Sequence, residues 1–147
     1  MRRELTFEQK ESVKWLRSYA ALLPLAAQTP QTQWVFLADR EADVYELFEQ
    51  ALAAPERPAV LVRMQHNRGL EQSEQRLFAL LARAPQAGQI QVQVPRRPGQ
   101  AARTATVTLR FCEVRLRAPA LKPGRAALSL WALEAREEHP PRGVKVL

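Results

Sequence analysis

The chain has 147 residues, 46% of them hydrophobic and 25% charged, which is enough apolar content for a packed core and excludes disorder throughout. Its formal charge of +7 is unevenly spread: residues 1–62 carry 7 basic against 9 acidic side chains, residues 63–110 carry 8 against 2, and the remainder 7 against 4. A single cysteine, Cys112, excludes an internal disulfide and a multi-cysteine zinc site and fits a reducing compartment.

The first element opens at Thr6, which forms a capping box with Gln9; Val13, Trp15, Leu16, Tyr19 and Leu23 then recur at helical spacing. A helix is expected over residues 7–27, kinked or shortened at Pro24. Residues 33–38 are a short, nearly continuous apolar run, which predicts a strand buried on both faces of an α/β sheet. Asp39 follows directly. A second capping signal, Asp43 with Glu46, opens a helix whose stripe is Val44, Leu47, Phe48, Ala51 and Leu52. Pro58 leads into another apolar strand, residues 59–62, and the order strand, helix, strand is that of a parallel βαβ pair.

Beyond Arg63 the period changes. A helix is expected over residues 74–84 from Leu77, Phe78, Leu80 and Leu81, and from Gly88 onward the pattern alternates with period two. Strands are expected at 89–94, 104–110, 113–117 and 127–135, with turns at Arg96-Arg-Pro-Gly99 and Leu121-Lys-Pro-Gly124. The fold class is therefore α/β, with a βαβ unit followed by an antiparallel, β-rich region. Trp15, Trp34 and Trp131 all lie within apolar patterns and are expected in the core, as are Tyr45 and Phe48 on their helix.

Several chemistries lack their residues. None of the five glycines lies in a phosphate-binding loop or dinucleotide pattern, and His66 and His139 stand far apart with no serine in a nucleophile elbow. The longest apolar run, residues 19–27, is too short to span a bilayer, so a cytoplasmic protein without a membrane partner is expected. What remains is Asp39-Arg-Glu-Ala-Asp43, a charged burst at the carboxyl end of an apolar strand, where ligands and catalytic groups sit in open α/β sheets. A carboxylate there can ligate magnesium together with waters and phosphate oxygens; equally, Asp39 can be a turn residue and Asp43 a helix cap. The excess of basic residues over 63–110 points to phosphate. Most are arginines, whose planar forks suit phosphate oxygens, though arginine excess accompanies GC-rich coding sequence as well.

The string Asp39-Arg-Glu-Ala-Asp43-Val-Tyr-Glu-Leu-Phe48, preceded by Lys10-Glu-Ser-Val-Lys-Trp-Leu16, resembles the DDE transposases of bacterial insertion sequences, in the insertion sequence four group that includes the transposon five enzyme. Val62-Arg-Met-Gln-His-Asn-Arg68, Arg103-Thr-Ala-Thr-Val-Thr-Leu-Arg110, Leu130-Trp-Ala-Leu133 and Pro140-Pro-Arg-Gly143 follow in the same order, so the resemblance runs through nearly the whole chain. It implies a ribonuclease H-like core fragment over residues 1–68 and an antiparallel β-rich insertion domain over 69–147. In such enzymes three carboxylates hold two divalent ions for attack on phosphorus. Asp39 matches the second carboxylate. The first, on an earlier strand, and the third, a glutamate after the insertion, have no counterpart in this chain.

By the same resemblance Arg63 contacts DNA phosphate; His66 and Arg68 follow in the same basic segment, Arg68 as a DNA contact or as solvated charge, and Arg103 and Arg110 lie on the insertion, as DNA contacts or as exposed charge that blocks unwanted strand pairing. Mg2+ or Mn2+ is the cofactor of the complete enzyme, bound weakly or not at all here. The partners implied are DNA, specifically transposon ends in the family, and self-association or association with full-length transposase. The expected function is thus a fragment of a cut-and-paste transposase that does not cut DNA alone. The alternative is a non-catalytic, basic nucleic-acid-binding or transposase-interacting module. Its RNA-binding form requires exposed aromatic side chains on adjacent strands, for which the insertion offers only Phe111 and Trp131.

Overall fold

A computed structural model describes residues 7–71, 73–120 and 124–142. The fold is mixed α/β: a two-stranded parallel sheet with helices, and a five-stranded antiparallel sheet. The chain divides into two compact units. One holds the residues up to Asn67 together with Ala118–Leu128, the other Arg68–Arg117 and the residues from Ser129 onward. The return of Ala118–Leu128 to the first unit departs from a simple division near residue 68, and its anchors are visible there: Tyr45 donates its hydroxyl to the Ala126 carbonyl, and Arg125 pairs with Glu49.

In the first unit the expected single helix is two, α1 (Phe7–Ala20) and α2 (Leu23–Gln28). Pro24 lies in the first turn of α2, where a missing N–H goes unnoticed, so the break falls before the proline. Thr6 of the expected capping box lies outside the described residues. Strand β1 (Val35–Ala38) pairs in parallel with β2 (Ala59–Val62), in the register Val35 with Ala59 through Ala38 with Val62. Between them run a short 3-10 turn (Arg40–Ala42) and helix α3 (Tyr45–Ala51).

The core of this unit is built on Tyr19, Ala42 and Leu47, all fully buried, with Trp15, Leu16, Phe36, Ala38, Val44, Ala51, Val60 and Val62 packed against them. Trp15 and Tyr19 both meet Phe36 edge-on, at centroid distances of 6.1 and 5.7 Å. Trp34 is half-buried, its indole N–H donating to the Thr29 hydroxyl at 2.8 Å. One expectation fails here. β1 is not buried on both faces, because burial alternates along both strands. The helices cover Phe36, Ala38, Val60 and Val62, and they leave Leu37 69% and Leu61 58% exposed beside Val35 and Ala59 on the opposite face. A continuous apolar strand usually implies a layer on each side. Among the described residues only one side has its layer.

The second unit opens with a hairpin of β3 (Gly69–Leu70) and β4 (Ser73–Arg76), where helix had been expected from residue 74; helix α4 is limited to Leu77–Arg83. Leu70, Leu77 and Leu81 are buried, while Phe78 is exposed. β5 (Gln86–Val94) then pairs antiparallel with β6 (Arg103–Leu116), and β7 (Leu128–Glu137) pairs with β6 as well. The two strands expected over 104–117 are one strand of 14 residues, since Phe111 and Cys112 offer no turn chemistry to interrupt it. Gly99 takes a φ of +75° in the β5–β6 connection, a left-handed conformation that glycine adopts without a Cβ clash. Burial changes face along β6: Ala105 and Val107 point one way, Val114 and Leu116 the other.

Candidate nucleic-acid interface

The parallel pair decides which charged groups meet in the first unit. Asp39 leaves β1 and Arg63 leaves β2, and the Arg63 N–H donates to the Ala38 carbonyl at 3.0 Å, so the two residues flank each other at the carboxyl ends of the strands. Both are exposed. Asp39 caps the 3-10 turn, its Oδ1 accepting from the Glu41 N–H at 3.0 Å, which directs the chain sharply out of the strand and places Arg40 on the surface.

Asp43 has a role that local sequence did not disclose. It does not cap α3, whose N-cap is Val44 without a side-chain hydrogen bond. Instead it is buried, and its Oδ2 accepts from the backbone N–H groups of Gln65 and His66 at 2.8 and 2.9 Å. Two amides donating to one carboxylate oxygen make charge-assisted bonds stronger than neutral ones. They tie the loop after β2 to the segment after β1. Asp39, Arg63 and His66 thus come together at one end of the parallel pair, each side chain exposed and the backbone beneath them fixed.

The other sequence candidates lie in the second unit. Arg103 sets its guanidinium against both carboxylate oxygens of Glu137, which is 4% exposed; the Nη2 to Oε2 distance is 2.8 Å. Arg110 pairs with Glu138 and, at 3.5 Å, with Glu134. Hydrogen bonding to Arg110 holds the Glu138 carboxyl below its ordinary value, while hydrogen bonding to Glu137 pushes Arg103 up and hydrogen bonding to Glu138 pushes Arg110 up. These two cations are already countered within the sheet. Arg68 is half-buried, and its carbonyl accepts from Leu77 N–H at 3.0 Å.

Trp131 is a second correction. It is not in the core: it is 69% exposed on β7, in edge contact with Phe111 on β6 at 5.8 Å between centroids and 65° between planes. β7 carries apolar residues on both faces, Leu128, Leu130 and Ala132 on one and Trp131 and Leu133 on the other, so alternation could not tell which face would be covered. The buried one is the face of Ala132. The condition set by the RNA-binding alternative, aromatic rings side by side on adjacent strands, is therefore met.

The two-cation site that the resemblance implies needs several carboxylates converging on one place. Among the described residues no three His, Cys, Asp or Glu side chains come close enough to hold a metal ion, and both Asp39 and Asp43 already accept backbone N–H groups. One exposed carboxylate does not fit such a site. Two surface cavities stand out, and Asp39 lines neither. One, of about 660 Å³, lies by Trp34, Pro58 and Ala59 at the opposite end of the parallel strands; the other, of about 680 Å³, lies at Arg96, Arg97 and Gln100 in the β5–β6 connection. No helix among the described residues is long and apolar enough to cross a membrane.

Fold and site together define a mixed α/β protein with an exposed acidic and an exposed basic residue at the neighbouring carboxyl ends of two parallel strands. No family model matches the chain.

Proposed function

We propose that this chain is a non-catalytic portion of a DNA transposase core of the DDE type, one that binds duplex DNA through phosphate contacts and does not cut it alone. The observation that carries the reading is the juxtaposition of Asp39 and Arg63 at the carboxyl ends of β1 and β2, with the following loop held by Asp43. A carboxylate beside an arginine at that position suits phosphodiester chemistry, the first as one metal ligand and the second as a phosphate contact. In this reading the parallel pair belongs to a ribonuclease H-like core. The bare face of Val35, Leu37 and Leu61 is where the rest of that core, or a full-length transposase, packs. A divalent cation binds this chain weakly or not at all, since a two-metal site draws on carboxylates from separate parts of a fold.

Duplex binding is expected to be weak, indifferent to sequence and steeply salt-dependent, because neutralised phosphates release counterions. Fluorescence anisotropy with unrelated duplexes at several salt concentrations measures this. Arg63→Ala should lower the slope of log affinity against log salt by about 1, whereas Arg103→Ala should change it little, its charge being countered by Glu137. Absence of binding at low salt, or strong preference for one sequence, counts against the reading.

The chain alone should leave supercoiled plasmid intact in magnesium or manganese. Metal-dependent nicking by the parent that Asp39→Ala abolishes would show a complete catalytic site and overturn the non-catalytic assignment.

A second reading, a nucleic-acid-binding module outside any transposase, is favoured by one observation: the exposed ring pair Phe111 and Trp131 on adjacent strands. It predicts that Arg63→Ala has no larger effect than the substitution of any other exposed arginine.

A further inference from the structure

We infer that the outer edge of β5 is an interface with a second copy of this chain, the two β5 strands pairing antiparallel about a two-fold axis at Gln91 and so joining their sheets. The inference uses neither Asp39 nor Arg63 and does not depend on the transposase reading.

Topology leaves this edge open. Among the described residues β5 has β6 as its one strand neighbour, so alternate residues of β5 turn their backbone N–H and C=O groups away from the sheet. Such an edge is a template for another strand, and natural sheets blunt it with charge, proline or a bulge. The other outlying strands follow that rule: β4 carries Glu74 and Arg76, and β7 carries Glu134, Arg136 and Glu137. β5 does not. Its pairing with β6 is regular from Gly88 to Val94, bounded by the irregularity between Gln86 and Gly88 on one side and by Pro95 on the other, and no charged residue occurs from 84 to 95. Gln91 is the midpoint of that regular run.

Symmetry and charge select the occupant. Antiparallel pairing centred on Gln91 sets Gln91 opposite itself, Gln89 opposite Gln93 and Ile90 opposite Val92, so that on each face like meets like. The three glutamines are exposed and already ordered by β6: Gln89 and Gln91 donate to the Thr108 and Thr106 hydroxyls at 3.4 and 3.0 Å, and Gln93 accepts from Thr104 at 3.2 Å. A primary amide has two donors and two acceptor lone pairs, so one threonine leaves each glutamine with capacity for another across the new edge. On the opposite face Ile90, which is exposed, gains an apolar neighbour. Charge points the same way. The chain carries +7, and two copies repel least where neither presents a charge; in this register Arg96 falls opposite Gln86 rather than another arginine. The contact is isologous and uses the same edge of both copies, so it closes at two.

Sedimentation equilibrium of the full chain at rising concentration should show a monomer of 16.7 kDa passing to a dimer and no further. Gln91→Lys and Gln91→Glu each set two like charges opposite one another and should each weaken the dimer about fivefold, whereas a mixture of the two variants, with opposite charges facing, should associate at least as tightly as the parent. Hydrogen exchange at the outward amides of β5 should slow as the parent dimerises. Circular dichroism checks that the variants, each altered at one exposed side chain, remain folded. A parent that stays monomeric overturns the inference, as does a dimer that both variants form with the parent's affinity, or a mixture no tighter than its components. An assembly that grows without limit denies the two-fold closure and overturns it too. A dimer dissolved by Leu61→Ser but untouched by Gln91→Lys assigns the association to the bare face of the parallel strands and overturns it as well.

Discussion

Replacing Asp43 with alanine is expected to destabilise the first unit by about 3 kcal/mol, because hydrogen bonds to charged groups contribute about 1.5–3 kcal/mol each and this carboxylate accepts two. Gln65 and His66 are exposed, so water can reach part of the loop once it is released, which keeps the loss below the sum of two full bonds. Asp43→Asn keeps an acceptor of the same shape without the charge and should lose about half as much. Urea unfolding measures the free energy, and hydrogen exchange at the Gln65 and His66 amides reports the site directly. In the parent those two amides should exchange slowly for residues in an exposed loop; in Asp43→Ala they should exchange at nearly the rate of an open chain. A loss below about 0.5 kcal/mol with unchanged exchange would mean that the two bonds contribute nothing to the fold. The functional consequence is separate from the stability. Arg63 and His66 sit on the segment that Asp43 holds, so salt-dependent duplex binding should weaken in the folded variant too.

Tyr19→Ala should cost more, about 4 kcal/mol, as for other large aromatic side chains removed from a core. Tyr19 is fully buried, lies edge-on to Phe36 of β1 and donates its hydroxyl to the Pro58 carbonyl at 2.6 Å, immediately before β2. It therefore joins α1 to both strands of the parallel pair. Burial also pushes its phenol up in pKa, so the donor stays protonated across the neutral range. Tyr19→Phe separates the two contributions. It keeps the ring contacts and strands only the carbonyl, for a loss of about 1–2 kcal/mol. Thermal unfolding of the three proteins should rank parent, Tyr19→Phe and Tyr19→Ala in falling order, and a phenylalanine variant as unstable as the alanine one would assign most of the effect to the hydroxyl.

The sequence by itself determined the elements whose signals are local. The apolar runs at 33–38 and 59–62, with a helical stripe between them, predict a parallel pair, which forms over Val35–Ala38 and Ala59–Val62, and Asp39 at the end of the first run follows from that order. Period-two alternation after Gly88 likewise determined an antiparallel sheet. Tertiary structure decided everything that depends on what covers a face or on partners far along the chain. Periodicity tells which residues point the same way but not which way meets protein. β1 therefore read as doubly buried when helices cover only Phe36 and Ala38, and Trp131 read as core when Ala132 faces inward. Asp43 read as a helix cap because Glu46 is three residues away, whereas its real partners lie 22 and 23 residues on. Arg103 and Arg110 read as phosphate contacts or as exposed edge charge, and their pairing with Glu137, Glu134 and Glu138 appears only once the last strand lies beside them. In each case the deciding term is desolvation or charge pairing between distant segments, which exists only once the chain has folded.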